Sequence, residues 1–321
     1  MFEVIINPQI QYLLMLQGFR EFSNGVFDNF FLLITMLGEN FVLLSLMSVV
    51  YWCINKKAGI FLFLNLAMSV ILNLFVKLTA CIHRPWIIDS RVCPIDEALP
   101  NADGYSFPSG HTARAIGVWG AMAYWWWDNK LIRYFSLLIV LLVGFSRNYI
   151  GVHTPQDVIV SLLFGVFLIY YIPKVRKWVE GAVNRDIMLF VFTLLIGIII
   201  YIFLSIKSAN QMLVYNPKID VVNPLEMMHS EYGKLGFYFG VLSGWLIERR
   251  FVNFSFENLT LANKFFIAVL GLVLLHLIPN FMGFLVGQIV PSYILSALIK
   301  FFTALFVLVF YPIFIKFLAN R

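Results

Sequence analysis

The sequence predicts an all-α membrane protein that crosses the bilayer many times. Its residues are 61% hydrophobic and only 12% charged, and 33 of the 321 are phenylalanine. The mean hydropathy of +0.85 exceeds what a soluble core of this length requires. Apolar runs close to the ~20 residues that span a bilayer recur along the chain. These observations predict a polytopic helix bundle embedded in lipid, with no nucleic-acid partner.

We predict about nine membrane-spanning helices, arranged as a six-helix core followed by further helices. The predicted spans are residues 30–52, 60–80, 113–127, 131–145, 158–172, 187–206, 235–247, 265–278 and 293–317. The third and seventh are short, so each is either a tilted helix extended by neighbouring turns or a re-entrant segment.

The chain is predicted to have three parts. Residues 1–28 lack the features of a cleaved secretory signal and are predicted to form an amphipathic helix at the membrane surface. The alternative is that they extend the first span. Residues 29–180 form the predicted core, which contains the motifs described below. Residues 181–321 form additional helices of the same membrane domain.

Basic residues predict the orientation. The connections after the first, third, fifth, seventh and ninth predicted spans contain most of the Lys and Arg residues, and cytoplasmic loops collect these residues. We therefore expect the amino terminus outside and the carboxyl terminus in the cytoplasm.

Three polar motifs fall on the predicted outer side, each at the end of an apolar run. The first is KLTACIHRP, residues 77–85; the second is YSFPSGHTA, residues 105–113; the third is SRNYIGVHTPQD, residues 146–157. Together they contribute three cations and, besides His83, the two histidines His111 and His153. Such a cluster at neighbouring helix ends would be costly without an anionic ligand to neutralise it.

In this order, the patterns Lys-x6-Arg-Pro, Pro-Ser-Gly-His and Ser-Arg-x5-His-x3-Asp resemble the signature of the type 2 phosphatidic acid phosphatase superfamily. That superfamily also includes vanadium haloperoxidases, glucose-6-phosphatase and sphingoid-base phosphate phosphatases. The resemblance covers about residues 66–165, and TMLGEN in the first span is similar to bacterial members. It implies a phosphatase built on the six-helix core.

The third motif provides a candidate nucleophile. In HTPQD, Thr154 fits an N-cap, Pro155 the first helical position and Asp157 the third, from which a carboxylate can reach back to His153. The carboxylate would fix the tautomer and leave the other ring nitrogen free to attack phosphorus. The alternative is a capping box with an incidental histidine.

The second motif provides a candidate anion site and proton donor. Ser109 and Gly110 open the third span, where free backbone amides favour an anion and glycine allows close approach. His111 can then protonate the departing alkoxide and later accept a proton from water. A lone histidine at a helix start is otherwise an interfacial or capping residue.

The cations Lys77, Arg84 and Arg147 are the candidate phosphate ligands, because prepositioned positive charge stabilises phosphoryl transfer. Taken singly, Lys77 or Arg84 also fits a helix-end side chain that reaches the interface. No ligand-spaced acidic or Cys/His cluster is seen in the outward-facing segments, so we predict that neither a metal nor another cofactor is required.

Four further residues are considered on the same side. Glu39, within the first span, must face protein or water and either contacts a motif residue or links helices. Arg114 follows His111 by three residues and shares its helix face. Cys81 and Cys93 could form a disulfide in an oxidising compartment, which the sequence does not decide. The loop at residues 86–104 is predicted to cover the site.

The leading function is a multi-pass plasma-membrane phosphatase that hydrolyses a lipid phosphate monoester, or a polyprenyl pyrophosphate as an acid anhydride hydrolase. It would act on the extracytoplasmic side through a phosphohistidine. A second hypothesis keeps the chemistry with a soluble phosphate ester. The third hypothesis is a transporter or channel. It is disfavoured because the ionisable residues concentrate at one surface, whereas transporter sites lie near mid-membrane. The oligomeric state is not predicted.

Overall fold

The structure is a computed structural model that describes residues 7–102, 104–214, 222–287 and 289–319. The first six residues of the predicted surface segment and Asp103 of the predicted covering loop lie outside the described residues. So do Lys218 and Arg321, two of the basic residues used to predict the orientation.

Every regular element in the described ranges is helical, which confirms the all-α class. The first nine helices are α1 Pro8–Phe22, α2 Asp28–Met36, α3 Asn40–Val49, α4 Lys56–Ala80, α5 Pro85–Ile88, α6 Gly110–Ala115, α7 Ala121–Trp125, α8 Lys130–Tyr149 and α9 Pro155–Glu180. The last five are α10 Arg185–Val214, α11 Pro224–Ile247, α12 Leu261–Val286, α13 Ser292–Leu305 and α14 Tyr311–Ala319. Single π-helical turns follow α3, α6, α11 and α13, and a 3₁₀ turn spans Asp96–Asn101.

The described residues contain six helical segments long and apolar enough to cross a membrane. These are Lys56–Ile88, Lys130–Tyr149, Pro155–Glu180, Arg185–Met212, Leu261–Val286 and Ser292–Ala319. The bent pair Asp28–Met36 and Asn40–Ile54, with an angle of 47°, would make a seventh.

The predicted count of nine is therefore not confirmed, although all nine predicted segments are helical. Two predicted spans are not among the segments that can cross a membrane, and they are the two short ones. The third predicted span corresponds to α6 and α7, which are brief helices joined by a π-helical turn. The seventh lies in α11, where Glu226, Glu231 and Lys234 add charge to the first half of the helix.

Large apolar side chains on the long helices point outward, as in a membrane protein. On α10, Leu195 is 54% exposed and Ile199 is 64% exposed. A soluble protein rarely leaves such surfaces contiguous, whereas lipid accommodates them. The exposure pattern and the spanning helices together identify an integral membrane protein.

The chain divides into two compact units. Unit 1 contains Met1–Leu43, Leu72–Phe167 and Asn216–Asn223, and unit 2 contains Leu44–Ile71, Leu168–Tyr215 and Pro224–Arg321. Helices α3, α4 and α9 each contribute residues to both units. All ten candidate site residues lie in unit 1. The three-part division at residues 28 and 180 stays a prediction.

Within unit 1, α1 holds the loop that follows the first motif. Arg20 donates hydrogen bonds to the carbonyl oxygens of Cys93 at 2.6 Å and Ile150 at 3.3 Å, and Gln17 accepts from the amide of Cys93 at 2.8 Å. The amide of Ile95 also donates to the carbonyl of Ile150 at 3.0 Å. These contacts fix the loop against the end of α8, within the third motif.

Within unit 2, α11 and α13 pack at very short range. A Cβ atom at Gly236 would lie 2.0 Å from the carbonyl oxygen of Ala297, and one at Gly240 would lie 2.6 Å from that of Phe301. Small residues at such positions let two helix backbones approach closely, as is common in membranes.

Candidate active site

His153 lies in the short connection between α8 and α9, where the chain turns through Gly151. The φ angle of Gly151 is +85°, in the left-handed region that favours glycine. A Cβ atom there would also lie 3.2 Å from Cα of Pro94. The amide of His153 donates to the carbonyl of Arg147 at 3.2 Å, and Nδ2 of Asn148 donates to the carbonyl of His153 at 2.9 Å. This turn therefore fixes the His153 backbone against the end of α8.

One oxygen of Asp157 accepts three hydrogen bonds. The donors to Oδ2 are Nδ1 of His153 at 3.2 Å, the hydroxyl of Ser106 at 2.5 Å and the amide of Thr154 at 2.9 Å. Oγ1 of Thr154 accepts in turn from the amide of Asp157 at 3.5 Å, the reciprocal pair of a capping box. The capping box and the histidine contact, posed as alternatives from the sequence, are both present and share one carboxylate.

The other ring nitrogen of His153 faces a cation. Nη1 of Arg84 donates to Nε2 over 2.9 Å. A guanidinium has no acceptor, so the hydrogen-bond network assigns the lone pair to Nε2 and the proton to Nδ1. His153 is 2% exposed, and burial, together with the charges of Arg84 and Arg147, holds its pKa well below the usual range. At neutral pH this imidazole is therefore uncharged, the form that a nucleophile needs.

The second motif is fixed against the helices that carry the other two. The amide of Ser109 donates to the carbonyl of Asp157 at 3.0 Å, and Ser161 donates to the carbonyl of Ser109 at 2.9 Å. Nδ2 of Asn73, on α4, donates to the carbonyl of Pro108 at 3.1 Å. Ser109 is the N-cap residue of α6, as expected.

Gly110 begins α6 beside open space. A Cβ atom added there would come no closer than 3.6 Å to another atom, Nη1 of Arg114. Packing within the protein therefore does not require glycine at this position. That a bound anion requires it stays a prediction.

His111 and Glu39 form a close pair. Nε2 of His111 lies 2.6 Å from Oε1 of Glu39, and Nη2 of Arg114 lies 3.7 Å from Oε2 of the same carboxylate. Arg114 also donates from Nε to the carbonyl of Gly38 at 2.8 Å. Of the two sequence alternatives for Glu39, contact with a motif residue is the one the structure shows, and Arg114 lies beside that contact.

The three predicted phosphate ligands are all buried cations. Nζ of Lys77 donates to the carbonyl of Tyr105 at 2.6 Å, and Nε of Arg84 donates to the carbonyl of Gly104 at 3.2 Å. Nη1 of Arg147 donates to Oγ1 of Thr35 at 2.8 Å. The Nε and Nη2 atoms of Arg147 are buried and make no hydrogen bond to any residue described. A buried donor left in this condition is costly unless a ligand occupies it.

The three motifs form one cluster. Groups from all of them are close enough to influence the charge on His153: Lys77, Arg84, His111 and Arg147. Such a cluster can hold a dianion among cations while a neutral imidazole faces it, which suits phosphoryl transfer.

Sequence reasoning missed three residues that support this cluster. They are Ser106, which donates to Asp157; Thr35, which binds Arg147; and Asn73, which holds Pro108. The signal available for Ser106 was its place inside the second motif. Thr35 and Asn73 lie in apolar runs, where a buried polar side chain indicates a specific partner.

The cysteines at the site are not bonded to each other. Cys81 and Cys93 are both free thiols in this structure, so the disulfide considered from the sequence is not formed. Within the described ranges, no group of three His, Cys, Asp or Glu side chains could hold a metal ion.

The fold and the cluster define an all-helical membrane protein with a buried cluster of cations and histidines. A family profile described as the PAP2 superfamily matches residues 58–180. Phosphatidylglycerophosphatase B of Bacillus subtilis is 30% identical over 151 residues, which are 43% of this chain and 70% of that protein. The chain belongs to the PAP2 superfamily, as the motif resemblance predicted.

Two other relatives differ in the named substrate. A probable sphingosine-1-phosphate phosphatase of Dictyostelium discoideum is 26% identical over 215 residues, 63% of this chain and 51% of that protein. An undecaprenyl-diphosphatase of Bacillus subtilis is 26% identical over 149 residues, 45% of this chain and 72% of that protein. The chain thus spans about half the length of the first relative. No solved structure matches the chain significantly.

Proposed function

We propose that this membrane phosphatase hydrolyses a lipid phosphate monoester or pyrophosphate through a phosphohistidine at His153, on the extracytoplasmic side and without a metal. The observation that carries the proposal is the orientation of His153. Its Nδ1 proton is held by Asp157, and its Nε2 lone pair is directed at Arg84, a phosphate-binding type of side chain. A phosphate bound at Arg84 would therefore lie in front of the attacking atom.

In the first step, Nε2 of His153 attacks phosphorus and the bond to the leaving oxygen breaks. The leaving oxygen takes the electron pair of that bond and a proton from His111. Asp157 stabilises the positive charge that develops on His153 without taking its proton. The products are a phosphohistidine and a free alcohol. When the substrate is a lipid pyrophosphate, a lipid monophosphate leaves in place of the alcohol.

In the second step, water attacks the phosphohistidine. His111, now neutral, accepts a proton from the water as its oxygen bonds to phosphorus. The bond between phosphorus and Nε2 breaks, and its electron pair returns to His153. Inorganic phosphate leaves and the starting protonation states are restored.

The cations supply the charge that this reaction needs. Lys77, Arg84 and Arg147 are each no more than 6% exposed, and charge interactions are strong where water is excluded. The two unpartnered donors of Arg147 are suited to bidentate contact with non-bridging oxygens. This arrangement supports catalysis with protein cations in the role that a metal often fills.

The relatives support a lipid substrate. Each of the three is named for a phosphate carried on a lipid, namely phosphatidylglycerophosphate, sphingosine-1-phosphate and undecaprenyl diphosphate. Membrane-spanning helices beside the cluster would let an apolar tail stay in lipid while the headgroup enters the site.

The decisive test is phosphate release by purified protein in detergent with a chelator present. Lipid monoesters, lipid pyrophosphates and short soluble esters would be compared, with His153→Asn as the inactive variant and Arg91→Gln, in an exposed ion pair with Asp89, as the control. We expect release from lipid substrates that is lost only in His153→Asn. Preference for soluble esters would favour the second hypothesis, and activity abolished by the chelator would contradict metal independence.

The extracytoplasmic orientation is tested by thiol labelling in intact cells. Cys93 is exposed and precedes the second motif, whereas Lys130 is exposed in a predicted cytoplasmic connection. Variants that retain only Cys93, or only a cysteine from Lys130→Cys, are treated with a membrane-impermeant maleimide. We expect Cys93 to react and the Lys130→Cys variant to react only after permeabilisation; the reverse pattern would overturn the orientation.

A further inference from the structure

Glu39 occupies a break between two helices, beside the second motif. The bent pair Asp28–Met36 and Asn40–Ile54, with an angle of 47°, breaks at residues 37–39. The preceding glycine makes a close approach possible, because a Cβ atom at Gly38 would lie 3.1 Å from the carbonyl of His111. This bend in the chain places Glu39 beside the start of α6.

The contact between Glu39 and His111 determines which ring nitrogen remains available. Oε1 of Glu39 lies 2.6 Å from Nε2 of His111, so Nε2 carries the proton that this carboxylate accepts. The only other ring nitrogen is Nδ1. A proton that His111 gives to a substrate must therefore leave from Nδ1 while Nε2 stays bound to Glu39.

Charged groups around His111 act in opposite directions. Burial, together with the charges of Arg147 and Arg114, holds the pKa of His111 well below its usual range in the absence of substrate. Glu39 opposes this lowering through its hydrogen bond and its negative charge, and the negative charge of a bound phosphate would act in the same direction. His153 is the other titratable group of the cluster that interacts with His111. Of these neighbours, Glu39 is the one that favours the protonated imidazole.

We propose that Glu39 is the positioning residue for the proton donor: it holds His111 by Nε2 and, together with a bound phosphate, favours a transferable proton on Nδ1. The inference rests on the proposed function. It assigns the site two histidine–carboxylate pairs with different tasks. Asp157 holds the proton of the nucleophile on Nδ1 and so leaves the Nε2 lone pair free, and Glu39 helps the second imidazole to carry a proton.

The proton moves as follows. When the phosphorus–oxygen bond breaks, the leaving oxygen takes the Nδ1 proton, and His111 becomes neutral with its Nε2 proton still donated to Glu39. When water attacks the phosphohistidine, Nδ1 accepts a proton from the water. Glu39 stays ionised throughout, so the cycle balances without another donor.

This role predicts a defect that depends on the leaving group. An alkoxide is strongly basic and must be protonated as it departs, whereas p-nitrophenolate leaves without help. General acid catalysis contributes about 10²–10⁴-fold where it is needed. Loss of the Glu39 charge should therefore slow alkyl phosphates far more than p-nitrophenyl phosphate.

The test uses the full-length protein in detergent and Glu39→Gln, whose amide oxygen can still accept from Nε2. Asp28→Asn is the matched control, since Asp28 begins α2, the helix that precedes Glu39, and binds the Tyr149 hydroxyl at 2.8 Å. Turnover of an alkyl phosphate and of p-nitrophenyl phosphate is measured from pH 5 to 9. For Glu39→Gln we expect about a 100-fold lower kcat on the alkyl phosphate, less than a tenth of that effect on p-nitrophenyl phosphate, and a basic limb moved to lower pH.

Asp28→Asn is expected to match the wild type on both substrates. Equal losses on both substrates, or a change in KM alone, would show that Glu39 only supports structure or phosphate binding, and would overturn the proposal. Absence of turnover in the wild type would instead overturn the proposed function. The two failures are therefore distinguishable.

Discussion

Nη1 of Arg84 lies 2.9 Å from Nε2 of His153 and donates its hydrogen bond to the atom that we propose attacks phosphorus. The same nitrogen also donates to the carbonyl of Val152 at 3.1 Å. A phosphate that enters the site must therefore take over a hydrogen bond that now shields the lone pair. Binding of the anion and exposure of the nucleophile are coupled in one side chain.

His153 should resist protonation well into the acidic range. Burial, reinforced by Arg84 and Arg147, lowers its pKa, so the folded protein binds fewer protons at this site than the unfolded chain does. The sign follows from linkage: stability from this group is complete above the unfolded pKa of about 6.5 and falls as the pH drops below it. Carbon-13 NMR of histidine-labelled protein, assigned with His153→Asn, should show a neutral His153 ring at pH 6. A ring that titrates near 6.5 would contradict this.

Asp157→Asn should nearly abolish turnover, because the amide no longer selects the tautomer with the proton on Nδ1. A comparable change in a Ser-His-Asp triad reduces kcat about 10⁴-fold. Ser106→Ala removes only one of the three donors to Oδ2, and we expect a loss of about tenfold from one hydrogen bond. Steady-state kinetics on the preferred substrate would check the ranking. A Ser106→Ala defect as large as that of Asp157→Asn would contradict it.

Arg147→Met should remove activity without lowering stability. The buried guanidinium has two nitrogens that make no hydrogen bond to a described residue, which makes it a cost to folding in the absence of anion. We expect a thermal midpoint that is unchanged or a few degrees higher in detergent, together with loss of phosphate release. Arg250→Met is the contrasting variant, because Arg250 is paired with Asp186 and its removal should lower the midpoint. If Arg147→Met is as destabilising as Arg250→Met, the interpretation is wrong.

The Gly110→Ala variant tests whether glycine is needed here for close approach of the phosphate rather than for packing within the protein. The nearest atom to a new Cβ is 3.6 Å away, so the thermal midpoint should hold while KM for the phosphate substrate rises. Gly38→Ala is the steric contrast, because its Cβ would lie 3.0 Å from Val143 and 3.1 Å from the His111 carbonyl. Overpacking of this kind costs about 1–3 kcal/mol. An unchanged KM in Gly110→Ala would remove this residue from the proposed phosphate site.

Short-range relationships at the site could be predicted from the sequence. The reach of Asp157 back to His153 and Thr154 follows from the first turn of a helix, and the structure has both contacts. The helical character of all nine predicted spans also follows from local apolar composition. The number of membrane crossings could not be predicted in this way, because bends and scattered charges decide whether a helix is long and apolar enough to span lipid.

Long-range partners could not be predicted, because they depend on how helices pack. Glu39 and His111 are 72 positions apart, and Thr35 and Arg147 are 112 apart. Both partners come from the first apolar span. Its sequence contains one carboxylate and one hydroxyl at a suitable depth, but nothing in it specifies which helix end they face.

Oδ2 of Asp157 accepts three hydrogen bonds, and this has a consequence for engineering. Its three donors come from the loop before α6, from the turn before α9 and from the backbone at the start of α9. A graft that moves only the histidine and its carboxylate into another helical scaffold would leave behind the serine and the exact loop that carries it. The smallest transplantable unit is therefore a pair of segments, residues 105–112 and 147–157, that must be moved together.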